Sequence, residues 1–391
     1  MPPLKVMTVF GTRPEAVKMA PLVLALRRTP GVETYCAVTA QHREMLDGVL
    51  ALFSLTPDYD LNIMEESQSL STITTKALTG MDALLAEARP DLVLVHGDTS
   101  TTLAGALSAF YHKVKIGHVE AGLRTGDKYA PYPEEANRRL VGVLADLHFC
   151  PTVQNRENLR REGVTDGVFV TGNTVIDALR LTVRDDYVFR TPALAALPPD
   201  ARVLLVTAHR RENYGDGFVN IFWALRDLAT CYQDIHIVLP VHLNPAVREP
   251  ANRILDHVPR IHLIDPLPVD ELHNLMARCH FVLTDSGGLQ EEAPALGRPV
   301  LVMRRETERP EAVEAGTVRM VGADRRDIVA MAATLLDDAA EYTKMAKAVN
   351  PYGDGEACRR IVEAILHHCG LRAAPPDVFD AGGTSTGGAS S

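Results

Sequence analysis

Short apolar runs rich in β-branched residues recur along the chain, separated by segments whose apolar positions repeat at a helical period. KVMTVFG (5–11) is the first. TYCAVTA (34–40), DLVLVHG (91–97), VKIGHVE (114–120) and DLHFCPT (146–152) follow, with patterns such as PEAVKMAPLVLALRR and TLAGALSAFYH between them. This alternation predicts parallel strands joined by crossover helices. After a Pro- and Ala-rich break, TPALAALPPDA (191–201), the pattern restarts. RVLLVTAHR (202–210), DIHIVLPVH (234–242), IHLIDP (261–266), HFVLTDS (280–286) and PVLVMR (299–304) form the second series. The expectation is an α/β protein of two doubly wound, Rossmann-like domains, 1–185 and 186–354, facing a central cleft. ACRRIVEAILHH (357–368) is the last helical pattern, and the Gly-, Ser-, Thr- and Pro-rich stretch 372–391 is expected to be disordered.

The 391 residues, 46% of them hydrophobic, suffice for two cores. A formal net charge of −10 argues against nucleic acid as partner, while leaving room for a small anionic ligand at a local basic cluster. Six cysteines at 36, 150, 231, 279, 358 and 369 form no Cys-x-x-Cys pair, so neither a zinc site nor a disulfide framework is expected, which fits a reducing cytoplasm. The opening MPPLKVMTVFG lacks the long apolar region of a signal peptide, and no run reaches transmembrane length, so no membrane association is expected.

In open α/β sheets ligands bind at the carboxyl ends of the strands, so the residues just after each strand carry the candidate chemistry. GTRPEAVKMAP (11–21) offers Gly11 for a tight turn, Pro14 for a helix start and Arg13 for an anion, without a Walker pattern. Lys18, further into that helix, also fits a solvated face. In VLVHGDTSTT, Asp98 is either a helix cap or a ligand group, and His96 reads as a packed strand residue. Glu120 ends a strand and needs a partner, for which Arg124 is a candidate. Glu134 and Glu135 follow a long loop and fit the charge preference of a helix N-terminus as well as a chemical role. TAHRREN brings His209, Arg210 and Arg211 to a strand end, and LPVHLNP brings His242. In MRRETERPEA several arginines read as solvated, with Arg309 before a helix start.

TDSGGLQEEAPALG (284–297) joins an anion-binding turn, Ser286-Gly287-Gly288, to a helix carrying Glu291 and Glu292 in its first turn. A phosphate suits the turn. Glu292 is compatible with it if the ligand is a nucleotide whose ribose hydroxyls it accepts, with Glu291 facing solvent. Both acids could equally complement the helix dipole. A nucleotide sugar and acid–base chemistry at a sugar carbon follow from this set of groups.

GTRPEAVKMAP, AQHREMLD, LVHGDTSTT, HVEAGLRTGDKYAPYPEEANR, FVTGNTVIDAL, TAHRREN, PVHLNP, TDSGGLQEEAPALGRPVLVMR, TERPEA and NPYGDG closely resemble the bacterial non-hydrolysing UDP-N-acetylglucosamine 2-epimerases over about residues 4–368. The resemblance implies the glycosyltransferase-B architecture, with a C-terminal helix (355–369) packing back on the first domain. It implies reversible epimerisation of UDP-GlcNAc to UDP-ManNAc at C2, by anti elimination of UDP to 2-acetamidoglucal and re-addition. This would supply ManNAc for surface polysaccharide. Asp98, Glu120 and Glu134 match the family's catalytic carboxylates, and His209 a residue near the phosphates. Arg13, Lys18, Ser286, Gly287, Gly288, Glu292 and Arg309 match UDP contacts. No redox cofactor and no metal are implied, and a homodimer is. A second UDP-GlcNAc acts as activator in many members, and Gln41, His42, Glu134, Arg210 and His242 match positions linked with it. Glu44 stands where some members carry Gln, and Ser67 where some carry Arg, a loss that would weaken phosphate binding. Leu267 and Leu272 replace a Gln and an aromatic residue placed near the base. The rival readings are a hydrolysing epimerase releasing ManNAc and UDP, a glycosyltransferase of the same architecture, and a catalytically silent UDP-sugar sensor.

Overall fold

The computed structural model describes residues 2–41, 43–65 and 68–381. His42, Ser67 and the side chain of Glu44 lie outside them, as does 382–391. The chain divides into two compact units, one formed by residues up to 181 together with 352–380, the other by 182–351.

In the first unit β1 (Leu4–Phe10), β2 (Val32–Val38), β3 (Tyr59–Asp60), β4 (Leu92–His96), β5 (Lys115–Val119), β6 (Leu147–Cys150) and β7 (Val168–Val170) form one sheet. Their order is β3-β2-β1-β4-β5-β6-β7, with every pairing parallel. All five residues of β4 are buried, as expected for a strand covered by helices on both faces. Each fully buried Val or Leu there contributes roughly 1.5–3 kcal/mol. The chain moves outward from β1 to β2 and β3, then returns to β4 on the other side of β1. At that reversal the loops after β1 and β4 diverge and leave a crevice at the strand ends. The helix Ala357–His368 packs against the helix Arg13–Arg27 in this same unit.

The second unit repeats the plan. β8 (Arg202–Thr207), β9 (Ile235–Pro240), β10 (Ile261–Ile264), β11 (Phe281–Thr284), β12 (Val300–Val302) and β13 (Val318–Met320) lie in the order β10-β9-β8-β11-β12-β13, again all parallel. Its core is closed by Phe218, Phe222 and Phe281. Here the reversal falls between β8 and β11. Both units are doubly wound Rossmann-like folds, as the alternation predicts. β3, β7 and β13 are too short to show a period and escape a sequence reading.

Disorder expected from 372 onward does not describe residues 377–379. Asp377 accepts from Arg359 Nη1 at 2.7 Å and Arg360 Nε at 2.9 Å. Phe379 is buried, its N–H donates to Val170 O at 3.0 Å, and Arg360 lies over its ring. One aromatic anchor in a polar stretch outweighs the average composition. Among the described residues no helix is long and apolar enough to cross a membrane.

Candidate functional site

At the end of β1 the backbone turns through Gly11 into the helix Arg13–Arg27. Only glycine fits, because a Cβ on Gly11 would meet Thr39 Oγ1 at 2.0 Å and Thr101 Oγ1 at 2.6 Å. The helix opens with a capping box: Glu15 accepts from the N–H groups of Gly11 (3.0 Å) and Thr12 (2.7 Å). Thr99 Oγ1 and Thr102 Oγ1 donate to its other oxygen at 2.7 and 3.1 Å. Burial raises the Glu15 carboxyl's pKa, against the hydrogen bonds that lower it. Glu15 thereby ties the β1 and β4 turns together across the reversal point, and Arg13 starts the helix beside it.

The partner of Glu120 is Lys18, not Arg124. Lys18 Nζ pairs with Glu120 Oε2, and the two side chains are 12% and 11% exposed, so Lys18 is no solvated-face residue. Arg124 instead holds Glu162 at 2.8 and 2.7 Å. Glu120 Oε2 also accepts from Asn173 Nδ2 at 2.9 Å, and His96 Nε2 lies 3.7 Å away. Glu120 takes a left-handed backbone with φ +62°, which turns its side chain out of the strand's alternation at a cost of order 1–3 kcal/mol. His96 is buried, with neither ring nitrogen hydrogen-bonded, and burial lowers its pKa to about 4. It therefore faces the site as a neutral imidazole.

Asp98 does not cap the helix that follows it; Thr99 does, accepting from Thr102 N at 3.1 Å. Asp98 Oδ2 instead takes Arg138 Nη2 at 2.5 Å, and its main-chain oxygen takes Asn137 Nδ2 at 2.9 Å. The helix Glu134–Leu144 separates the roles of its two leading acids. Glu135 is fully buried and takes the Thr125 and Gly126 N–H groups with Arg138 and Arg139, which fixes the preceding loop. Glu134 Oε2 is buried without a hydrogen-bond partner, so this carboxylate is the one left to act on something else.

In the second unit the turn after β11 is built around buried Asp285. Its carboxylate accepts from the N–H groups of His209 and Arg210 at 2.8 Å each and from Asn213 Nδ2 at 3.2 Å, locking the β8 and β11 loops to each other. His209 Nδ1 is 3.3 Å from Asp285 Oδ1, and its ring stacks on His242 with centroids 6.0 Å apart. Burial lowers the His209 pKa, opposed by Asp285. Ser286 N–H bonds Thr284 Oγ1 at 2.9 Å, and the helix Leu289–Ala295 begins after Gly288. A Cβ on Gly287 would lie 3.8 Å from Arg210 Nη2 and 3.9 Å from Arg309 Nη2, so two guanidinium groups converge on the expected phosphate turn.

Glu291 does not face solvent: it is 2% exposed and pairs with Arg309 Nε. It positions the arginine that a phosphate would meet. Glu292 Oε2 lies 3.4 Å from His273 Nε2. Arg304, expected to be solvated, is 8% exposed and held by Glu212 at 2.5 Å and Glu308 at 2.8 Å. Of the residues linked with an activator, Arg210 and His242 belong to this cluster. Gln41 follows β2 in the first unit, with Oε1 buried and unbonded.

Sequence reasoning missed Glu15, Arg138, Asn173 and His273 as parts of the site, and it placed Asp285 in the anion turn without its role of locking the β8 and β11 loops. Asn173 and Arg138 lie in segments without a strand-end signal; their partners are 53 and 40 residues away. Among the described residues no three His, Cys, Asp or Glu side chains are grouped to hold a metal ion.

The family model for UDP-N-acetylglucosamine 2-epimerase matches residues 24–366. The chain is 57% identical over 380 residues to the UDP-N-acetylglucosamine 2-epimerase of Bacillus subtilis strain 168, spanning 97% of this chain and 99% of that one. It is 60% identical over 373 residues to the Escherichia coli K12 enzyme of the same name, spanning 93% and 99%. The solved structure of the Neisseria meningitidis UDP-GlcNAc 2-epimerase bound to UDP-GlcNAc is 49% identical, with a TM-score of 0.86, covering 93% of this chain and 100% of that one.

Proposed function

The chain belongs to the UDP-N-acetylglucosamine 2-epimerase family, and from that premise we propose that it interconverts UDP-GlcNAc and UDP-ManNAc without hydrolysis. A carboxylate takes the C2 proton while the C1–O bond breaks and UDP leaves, giving 2-acetamidoglucal. C2 is then protonated on its opposite face, and the UDP oxygen adds back to C1. Asp98, Glu120 and Glu134 are the acid–base groups. Two paired with cations, and one with an unbonded oxygen, form a set able to divide acceptor and donor roles.

The second unit supplies the leaving-group machinery. Arg210 and Arg309 at Gly287, with the Ser286–Gly288 turn, oppose the charge that develops on the diphosphate. His209, kept uncharged more readily by burial, can donate a hydrogen bond there. Arg13 and Lys18 are assigned to the UDP-sugar from the first unit, and Glu292 to the ribose. The observation that carries the reading is the placement of Asp98 and Glu120 on adjacent strand ends beside the reversal point, each held by a nearly buried cation.

We further assign a homodimer in the cytoplasm, supplying ManNAc units for surface polysaccharide, with a second UDP-GlcNAc as activator. The buried, unbonded Gln41 Oε1 favours retaining Gln41 in that activator role.

The test is proton NMR of the purified protein with UDP-GlcNAc in D₂O. UDP-ManNAc carrying deuterium at C2, without free ManNAc, is expected. Free ManNAc and UDP would instead establish the hydrolysing reaction. Absence of C2 exchange would turn the assignment toward a transferase or a sensor.

A further inference from the structure

His273 lies on the helix Val269–Arg278 and is 2% exposed. Its Nδ1 is 2.7 Å from Thr182 Oγ1, and its Nε2 is 3.4 Å from Glu292 Oε2. Nε2 thus faces a carboxylate, which can only accept, while Nδ1 faces a hydroxyl, which can donate or accept. The other oxygen of Glu292 lies 3.0 Å from where a Cβ on Gly288 would stand. The carboxylate is thus set between the imidazole and the phosphate turn.

Thr182 is the first residue of the second unit. The same helix holds the segment that follows it. Asn274 bonds Thr182 O and Arg184 N, both at 2.9 Å, and buried Glu271 takes Arg190 N at 2.5 Å and Thr191 N at 3.0 Å.

We propose that His273 is a positioning residue for nucleotide recognition. It aims Glu292 at the ribose hydroxyls and ties that carboxylate to Thr182, so that occupancy of the ribose site and order in the 182–191 connector are linked through one imidazole. The proposal rests on the assignment of Glu292 to the ribose.

Calorimetric titration of the full chain with UDP and with 2′,3′-dideoxy-UDP tests it. The native protein is expected to favour UDP; equal affinities would remove the ribose assignment and this proposal with it. If UDP is favoured, two variants separate the roles. His273→Gln keeps a donor near the Nε2 position and retains the preference. His273→Asn keeps one near Nδ1 and loses about tenfold of it, the scale of one hydrogen bond to a charged group. A native preference in His273→Asn would overturn the proposal while leaving the ribose assignment standing. Thr182→Val, which keeps the shape of the side chain, provides the second arm by amide hydrogen exchange. UDP is expected to slow exchange at Arg184, Arg190 and Thr191 in the native chain and not in Thr182→Val. Equal slowing in both would overturn the link to the connector.

Discussion

Lys18 and Glu120, 102 residues apart in sequence, form an ion pair in which both side chains are almost withdrawn from solvent. The neutral groups beside it, Asn173 and His96, cannot replace the positive charge. In Lys18→Met the nearly buried carboxylate loses its counter-charge, so its pKa should rise. The acid limb of the kcat/KM profile is expected to move up by about one pH unit or more, and kcat to fall at neutral pH. Were Lys18 only a diphosphate contact, KM for UDP-GlcNAc would rise with the limb unmoved. A pH series on the purified variant separates the two.

Asp98→Asn preserves shape and removes charge. Arg138 keeps Glu135 at 3.3 Å, so the variant should fold. Turnover is expected to drop at least a hundredfold, the usual contribution of a positioned acid or base. UDP affinity should stay within about twofold, well short of the tenfold that about 1.4 kcal/mol would give, since Asp98 is assigned to the sugar carbon and not to the diphosphate. Deuterium incorporation at C2, followed by NMR, reads the first effect and calorimetry the second. Wild-type exchange in Asp98→Asn would remove this residue from the chemistry.

The fold was legible because its strands are buried on both faces and read as continuous apolar runs, β4 being the clearest. The strand-end rule led to Asp98, Glu120, His209 and the Ser286–Gly288 turn. What it could not supply was pairing. Arg124 stands four residues after Glu120, yet Glu120 takes Lys18 from another element, because β1 and β5 flank β4 in the sheet. Glu291 and Glu292 look alike on a helix start; only the approach of Arg309 to one and His273 to the other distinguishes them.

Gly288 has ordinary helical torsions (φ −62°, ψ −44°), so alanine suits its backbone. The added Cβ would come 3.0 Å from Glu292 Oε1 and push that carboxylate aside. Gly288→Ala therefore displaces Glu292 while the backbone N–H groups of the turn are kept. If Glu292 binds the ribose in ground and transition states alike, KM for UDP-GlcNAc should rise about tenfold with kcat nearly unchanged. A fall in kcat at constant KM would place Glu292 in the chemical step instead.

His96, His118 and His148 are buried on β4, β5 and β6, with His118 directly beside His148 in the sheet. His118 Nε2 bonds Gly97 O at 2.7 Å, which fixes the turn leading to Asp98. Burial lowers their pKa values to about 4, 3 and 4. The unfolded chain takes up these protons near pH 6.5, whereas the folded chain excludes them until pH approaches 4 or below. Between those limits the unfolded state binds more protons, so stability falls as pH falls. The melting temperature is expected to drop by several degrees from pH 7 to pH 5. His148→Leu should make the slope of unfolding free energy against pH shallower by up to one proton over that window. Denaturant unfolding at a series of pH values measures the slope. An unchanged slope in the variant would remove His148 from the groups that make the fold acid-sensitive.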